Sequence, residues 1–135
     1  MSIVLLDTTF LIDAEREDID FDDLIQEDDD IAIAAITVAE LVVGVELASQ
    51  RAKAERQAYV DDILASIPVI SYDRDIAFEH AQLLVAVRQR GRPRGAHDLL
   101  IAATARATNR TVLTADEPAF ADLPGVTVHH YRTNS

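Results

Sequence analysis

Four acids, Asp7, Glu40, Asp98 and Asp116, lie far apart in the sequence, yet each stands beside a short apolar segment. Such segments form buried strands or the helices that feed them. In open α/β sheets, ligands bind outside the carboxyl ends of the strands. Acids gathered at one such edge repel: at ~4 Å and an effective dielectric near 20, a like-charge pair costs about 4 kcal/mol. Either one acid takes up a proton or a cation sits among them. The chain has no cysteine and four scattered or terminal histidines. An all-oxygen ligand set suits Mg2+, or Mn2+, and not Zn2+. These ions keep waters and engage phosphates, so the expected reaction class is metal-assisted phosphodiester cleavage. The ion polarises the phosphoryl oxygens, activates a water and neutralises the leaving oxygen.

Each acid also has a purely structural reading. Asp7 is placed to N-cap the helix after the first strand. Thr37 and Glu40 fit the capping box, S/T-x-x-E. Asp98 suits a helix N-cap or first turn, and Asp116 lies in TADEP, a plausible turn. These readings are unconnected. They do not explain why no lysine or arginine lies close in sequence to Asp7, Glu40 or Asp116.

The elements that position the acids follow from apolar patterning. Ile3 to Leu6 reads as a β-branched buried strand that runs into Asp7. A short helix over 8–16 follows, then a second around Phe21, Leu24 and Ile25. Ile31 to Ile36 reads as the second strand. Thr37 then opens a helix, TVAELVVGVELASQ, with Glu40 in its first turn. A helix spans Gln57 to Ala65, and Pro68 to Ser71 is a third strand. Asp73 starts a long helix with Ile76, His80, Leu83, Leu84 and Val87 on one stripe, ended by Gly91 and Pro93. His97 to Thr108 is the next helix, with Asn109 at its C′ position. Thr111 to Thr114 is the fourth strand. A Pro-containing turn leads to the fifth, Val126 to His129. Strands alternating with helices predict a parallel sheet covered on both faces, with right-handed crossovers. Asp7, Glu40 and Asp116 then fall at the carboxyl edge, and so does Asp98, at the start of a helix antiparallel to the strand it feeds.

At 135 residues the chain reads as a single domain, 1–135, able to bury a core. MSIVLLD has no basic n-region and an acid soon interrupts it, so it does not read as a signal peptide. No apolar run approaches ~18 residues, so no membrane span is expected, and the cytoplasm is the default location. A net charge of −12 argues against a passive nucleic-acid coat, which needs a basic face. The charge is uneven. Glu17 to Asp30 holds nine acids and no base, and reads as a solvated face. Arg88 to Arg94, RQRGRPR, holds four arginines, which suit a helix C-terminus or a nucleic-acid backbone.

LLDTTFLID, TVAELVVGV, RPRGAHDLLIAATA and VLTADEPAF, in that order, also resemble the motifs of PIN-domain ribonucleases. The chain is most similar to the short VapC-type toxins of VapBC toxin–antitoxin pairs. The resemblance covers nearly the whole chain and implies a PIN-like three-layer α/β/α fold with a mainly parallel sheet of about five strands. It implies a Mg2+-dependent (or Mn2+-dependent) endoribonuclease acting on RNA, a homodimer, and neutralisation by a cognate VapB-type antitoxin. Asp7, Glu40, Asp98 and Asp116 match the family's acidic metal-site positions. Thr9 matches the Ser/Thr that braces the first Asp, and Thr114 the hydroxyl of the T-x-D/N motif. The pattern departs at Ala119, where an acid often precedes the Phe. Next to Asp98, Arg92, Arg94 and His97 are candidate RNA contacts, and His97 is also a candidate proton donor. The implied products carry a 5′-phosphate and a 3′-hydroxyl.

Val38, Leu41, Val42 and Val45, with the helix around Gln57 to Ala65, offer an apolar face for an antitoxin helix or a second subunit. Two other functions compete. An aspartyl-nucleophile, Mg-dependent phosphatase would need a second Asp two residues after Asp7 and a supporting lysine, but Thr9 stands there and the only lysine is Lys53. A degenerate domain that binds RNA or a partner without cutting would not be expected to keep all four acids.

Overall fold

A computed structural model describes residues 1–133. The apolar run at the start forms β1 (Ile3–Leu6), followed by α1 (Thr8–Glu15), α2 (Phe21–Leu24), β2 (Asp30–Ala34), α3 (Ala35–Glu46) and α4 (Gln50–Ser66). Then come β3 (Val69–Ile70), α5 (Arg74–Arg90), α6 (Ala96–Ala107), β4 (Thr111–Thr114), α7 (Glu117–Phe120) and β5 (Val128–His130). The five strands form one sheet in the order β3-β2-β1-β4-β5, and every neighbouring pair is parallel.

That order decides where a site can form. The chain steps outward from β1 to β2 to β3, then returns to the other side of β1 to lay down β4 and β5. The order in which strands are added switches sides between β1 and β4, and in open α/β sheets ligands bind outside the carboxyl ends of such a pair. The register pairs Leu6 with Leu113, and the Asp7 amide donates to the Leu113 carbonyl at 3.1 Å. Asp7 therefore stands one residue past β1, level with Thr114.

Alternation along β1 divides the core. Val4 and Leu6 face a layer built on Phe10, Leu41, Val45 and Val60, from α1, α3 and α4. Leu5 faces the layer of α5 and α6, with Leu83, Ile101 and Ala102. The small residues Ala102, Ala103 and Ala105, all fully buried, bring α6 close to its neighbours. The result is the expected α/β/α sandwich.

The main boundary correction concerns the carboxyl end of β2. Its strand ends at Ala34, not Ile36, and α3 begins at Ala35 with no side-chain cap. Alanine is the best helix former, so Ala34 and Ala35 mark the switch inside an apolar run that periodicity alone cannot divide. The Thr37–Glu40 capping box is therefore not formed: Thr37 is an interior helical residue and Glu40 lies in the second turn. α4 is longer than the expected Gln57–Ala65, because Ser49 caps it by accepting from the Ala52 amide at 3.3 Å. β3 is shorter than Pro68–Ser71, and β5 lies two residues later at its start than expected. The Pro-containing turn holds the short helix α7. Asp73 caps α5, while Gly91 and Asn109 take left-handed conformations after α5 and α6 as the sequence predicts.

The acidic run is partly structural. Asp20 accepts from the Asp22 amide, Asp29 from the amides of Ser2 and Gln26, and Asp30 pairs with Arg110 at 3.0 Å. Among the described residues, no helix is long and apolar enough to cross a membrane.

Candidate active site

Asp7 ends β1 and begins α1, and it is 3% exposed. Its Oδ1 accepts from the Thr8 amide at 2.8 Å. Its Oδ2 accepts from the hydroxyls of Thr9 at 2.8 Å and Thr114 at 2.7 Å. The capping reading is thus correct for one oxygen, while the other is fixed by hydroxyls from two elements. The Asp116 amide donates to Thr114 Oγ1 at 2.9 Å, which ties the end of β4 into the same network. Burial pushes the Asp7 carboxyl above its ordinary value, the three donors oppose that, and Glu40 adds to it.

Glu40 is held from two sides. Its Oε1 accepts from Thr8 Oγ1 at 2.7 Å, and that hydroxyl lies 3.1 Å from Thr37 Oγ1. Its Oε2 lies 3.4 Å from His97 Nδ1, an ion pair when the ring is protonated. Thr37, fully buried, belongs to this network and not to a cap. Thr8 has no reading of its own in the sequence, and Thr37 has only that of the capping box. Their role comes from α1 meeting α3, which spacing along the chain does not reveal.

Asp98 lies in the first turn of α6. Burial raises its pKa first, then the charges of Asp7, Asp116 and Glu40 raise it further, against the lowering effect of His97. Four acids from four segments thus share one region of negative potential. Asp116 is exposed, precedes α7 and makes no side-chain cap bond. One positioning feature is absent from the acid inventory. A Cβ on Gly95 would sit 2.9 Å from Asp98 Oδ2 and 3.5 Å from its Cγ. The Gly95 backbone, at φ −60, suits any residue. Glycine there gives space to the carboxylate; the only signal in the sequence is a Gly three residues before an Asp at a helix start.

Arg92 and Arg94 engage the segment after α7 and none of the four acids. Arg92 Nη1 lies 3.2 Å from Asp122 Oδ2, and Arg94 Nη2 donates to the Ala121 carbonyl at 2.9 Å. His80, on the α5 stripe, is half-buried and bonds the Tyr72 hydroxyl at 3.0 Å.

Among the described residues, no group of three or more His, Asp or Glu side chains is closed up as a ready metal-binding set. Mg2+ does not require one, because it usually keeps several waters and takes one or two carboxylates. The donors on offer are carboxylate oxygens whose charges oppose one another, and such a set suits a hard divalent cation.

Residues 4–126 match the PIN domain. The chain belongs to the PIN-domain family. This PIN domain is 29% identical over 109 residues to Ribonuclease VapC2 of Rickettsia felis, covering 81% of this chain and 80% of that one. It is 28% identical over 103 residues to the tRNA(fMet)-specific endonuclease VapC of Salmonella typhimurium, covering 75% of each. Its fold superposes with a TM-score of 0.87 on a chain of VapBC2 from Rickettsia felis bound to a promoter DNA fragment. That match is 28% identical and covers 96% of this chain and 99% of that one. The PIN-like α/β architecture expected from the motifs is thus the architecture of this chain.

Proposed function

We propose that this PIN domain is the endoribonuclease toxin of a type II toxin–antitoxin module, hydrolysing RNA with Mg2+ (or Mn2+) held at Asp7, Asp98, Glu40 and Asp116. The observation that carries the reading is geometric: Asp7 is fixed by Thr9 and Thr114, Glu40 is tied to it through Thr8, and Asp98 and Asp116 start the neighbouring helices at the same sheet edge. Burial and the combined charges of Asp7, Asp116 and Glu40 disfavour the ionised form of Asp98 at the switch point of the sheet. A phosphodiester cannot approach such a cluster unless positive charge is added. When bound, the ion polarises the phosphoryl oxygen and lowers the pKa of the attacking water.

The protein's own part is positioning and proton transfer. Thr9 and Thr114 hold Asp7 in one orientation, so no reorganisation is needed when substrate binds. Thr8 aims Glu40, leaving Oε2 beside His97. Glu40 takes the proton of the attacking water, and His97, more than half exposed at the mouth, supplies one to the leaving 3′ oxygen. The products then carry a 5′-phosphate and a 3′-hydroxyl.

A groove between α1, α3 and α4 starts at Glu40 and is floored by Ile12, Leu41, Val45, Tyr59 and Val60. An amphipathic VapB-type antitoxin helix fits such a groove, and a basic residue on it would reach the acids and compete with the ion. Exposed Phe78 and Val85 on α5 offer apolar surface to a second copy in a homodimer. The nuclease reading is tested by sequencing RNA 5′ ends after expression of the protein and of Asp98→Asn. New 5′-phosphate ends at defined sites with the parent alone support it; identical end profiles for the two proteins exclude it.

A further inference from the structure

Just past α7, a cavity of about 470 Å3 is lined by Arg90, Arg92 and Arg94, by Ala86 and Val87 of α5, and by Asp122, Leu123 and Pro124. We infer that this cavity receives a backbone phosphate of the RNA next to the scissile bond, and that Asp122 takes the place of that phosphate in the free protein. The inference rests on the ribonuclease reading and adds a subsite to it.

Three arginines and one acid line the cavity, an excess of two positive charges among its lining residues on a chain whose net charge is −12. Asp122 holds its place with a left-handed backbone, φ 62. Its carbonyl accepts from Arg90 Nη1 and its carboxylate pairs with Arg92 at 3.2 Å. Both partners in that pair are about two-thirds exposed, 67% and 66%, so the pair is weak and open to exchange. Arg94 is anchored on the Ala121 carbonyl, and its Nε is buried without a partner. A phosphate oxygen is a stronger acceptor for a guanidinium fork than a solvated carboxylate held by a single ion pair.

The location matters as much as the charge. Arg94 directly precedes Gly95, which leads into the Asp98 helix, and Ala121 directly follows α7, which begins after Asp116. The walls of the cavity are therefore continuous with the two segments that carry Asp98 and Asp116. A strand laid across the acids runs next into the arginines, where positive charge offsets the repulsion of the site.

The test uses the full chain with Asp98→Asn, so that RNA is bound and not cut, and a labelled random-sequence single-stranded RNA read by anisotropy across a salt series with Mg2+ present. Arg90→Gln with Arg92→Gln should weaken binding roughly tenfold at low salt and flatten the log–log salt slope by about 0.7 for each phosphate no longer neutralised. Asp122→Asn, which keeps a residue tolerant of the left-handed backbone, should tighten binding roughly threefold by removing a competing charge. Arg94 is left in place because it anchors the loop. In the cutting parent, the arginine double variant should raise KM and leave kcat unchanged. Unchanged affinity and salt slope in variants that unfold at the parent midpoint overturn the subsite alone. No RNA binding by Asp98→Asn, together with no cleavage of RNA by the parent, overturns both the subsite and the nuclease reading. A rise in the unfolding midpoint with millimolar inorganic phosphate in the parent and not in the arginine variant, with RNA affinity equal in the two, makes the cavity a free-phosphate site and removes the RNA assignment.

Discussion

Thr114 Oγ1 does two things at once: it donates to Asp7 Oδ2 and accepts from the Asp116 amide. Thr114→Val keeps the shape and removes both. It should cost about 1–3 kcal/mol in urea denaturation, because a buried carboxylate and an amide are each left without this partner. A change within error would mean that the network does not hold the site. Asp98 gives a pH prediction. Its folded-state pKa is raised above 3.8 by burial and then by Asp7, Asp116 and Glu40. The folded chain therefore binds the proton more tightly than the unfolded one, and stability in EDTA falls as pH rises from 3.8 through the raised value. Asp98→Asn removes this term. Above that window it should be more stable than the parent, by under about 1 kcal/mol since the group is partly exposed, with a flatter profile of urea midpoint against pH. A steeper profile would reverse the assigned sign. The placement of the four acids at strand and helix ends, and of Thr9 and Thr114 beside Asp7, could be read from the sequence because each lies in a short motif there. Thr8, Thr37 and Gly95 could not, because their importance comes from side chains meeting across α1, α3 and α6.

At the scale of elements, helix starts aim the acids, and they are where sequence patterning is least decisive. The apolar run IAIAAI supports either strand or helix, so the true start of α3 at Ala35 is hidden in it, and a capping box is expected where none forms. The consequence is chemical. Freed from a cap, Glu40 points to Thr8 and His97. α6 has Gly95 at its N-cap and so no side-chain cap, although a serine there would cap it better. Gly95→Ser should therefore leave the unfolding midpoint equal or higher. Its Cβ would press on Asp98 Oδ2, and misplacing a catalytic group by about 1 Å costs on the order of 100-fold in rate. Full activity in a folded Gly95→Ser protein would show that the space at Gly95 has no functional use. β1, β4 and the long helix α5 are legible nearly to the residue, since each has a clear period and a definite stop.

For the molecule as a whole, strand order places the chemistry. Because β4 is laid down parallel to β1 on its other side, Asp7 and Thr114 end side by side, and α3, α6 and the turn after β4 bring their acids to that edge. The alternation of elements implies a parallel sheet, but strand order is a choice among topologies that local patterning does not make. The same placement concentrates negative charge on an acidic chain, so activity should depend on a divalent ion in a way that monovalent salt cannot replace. The direct test is cleavage of labelled RNA by the parent, Asp7→Asn and Asp98→Asn, each assayed with Mg2+, with EDTA, and with EDTA followed by excess Mg2+. Cleavage by the parent with Mg2+, its loss in EDTA, its return with added Mg2+ and its absence in both folded variants are the predicted results. Undiminished cleavage in EDTA, or by either variant, would contradict a nuclease site built on these carboxylates.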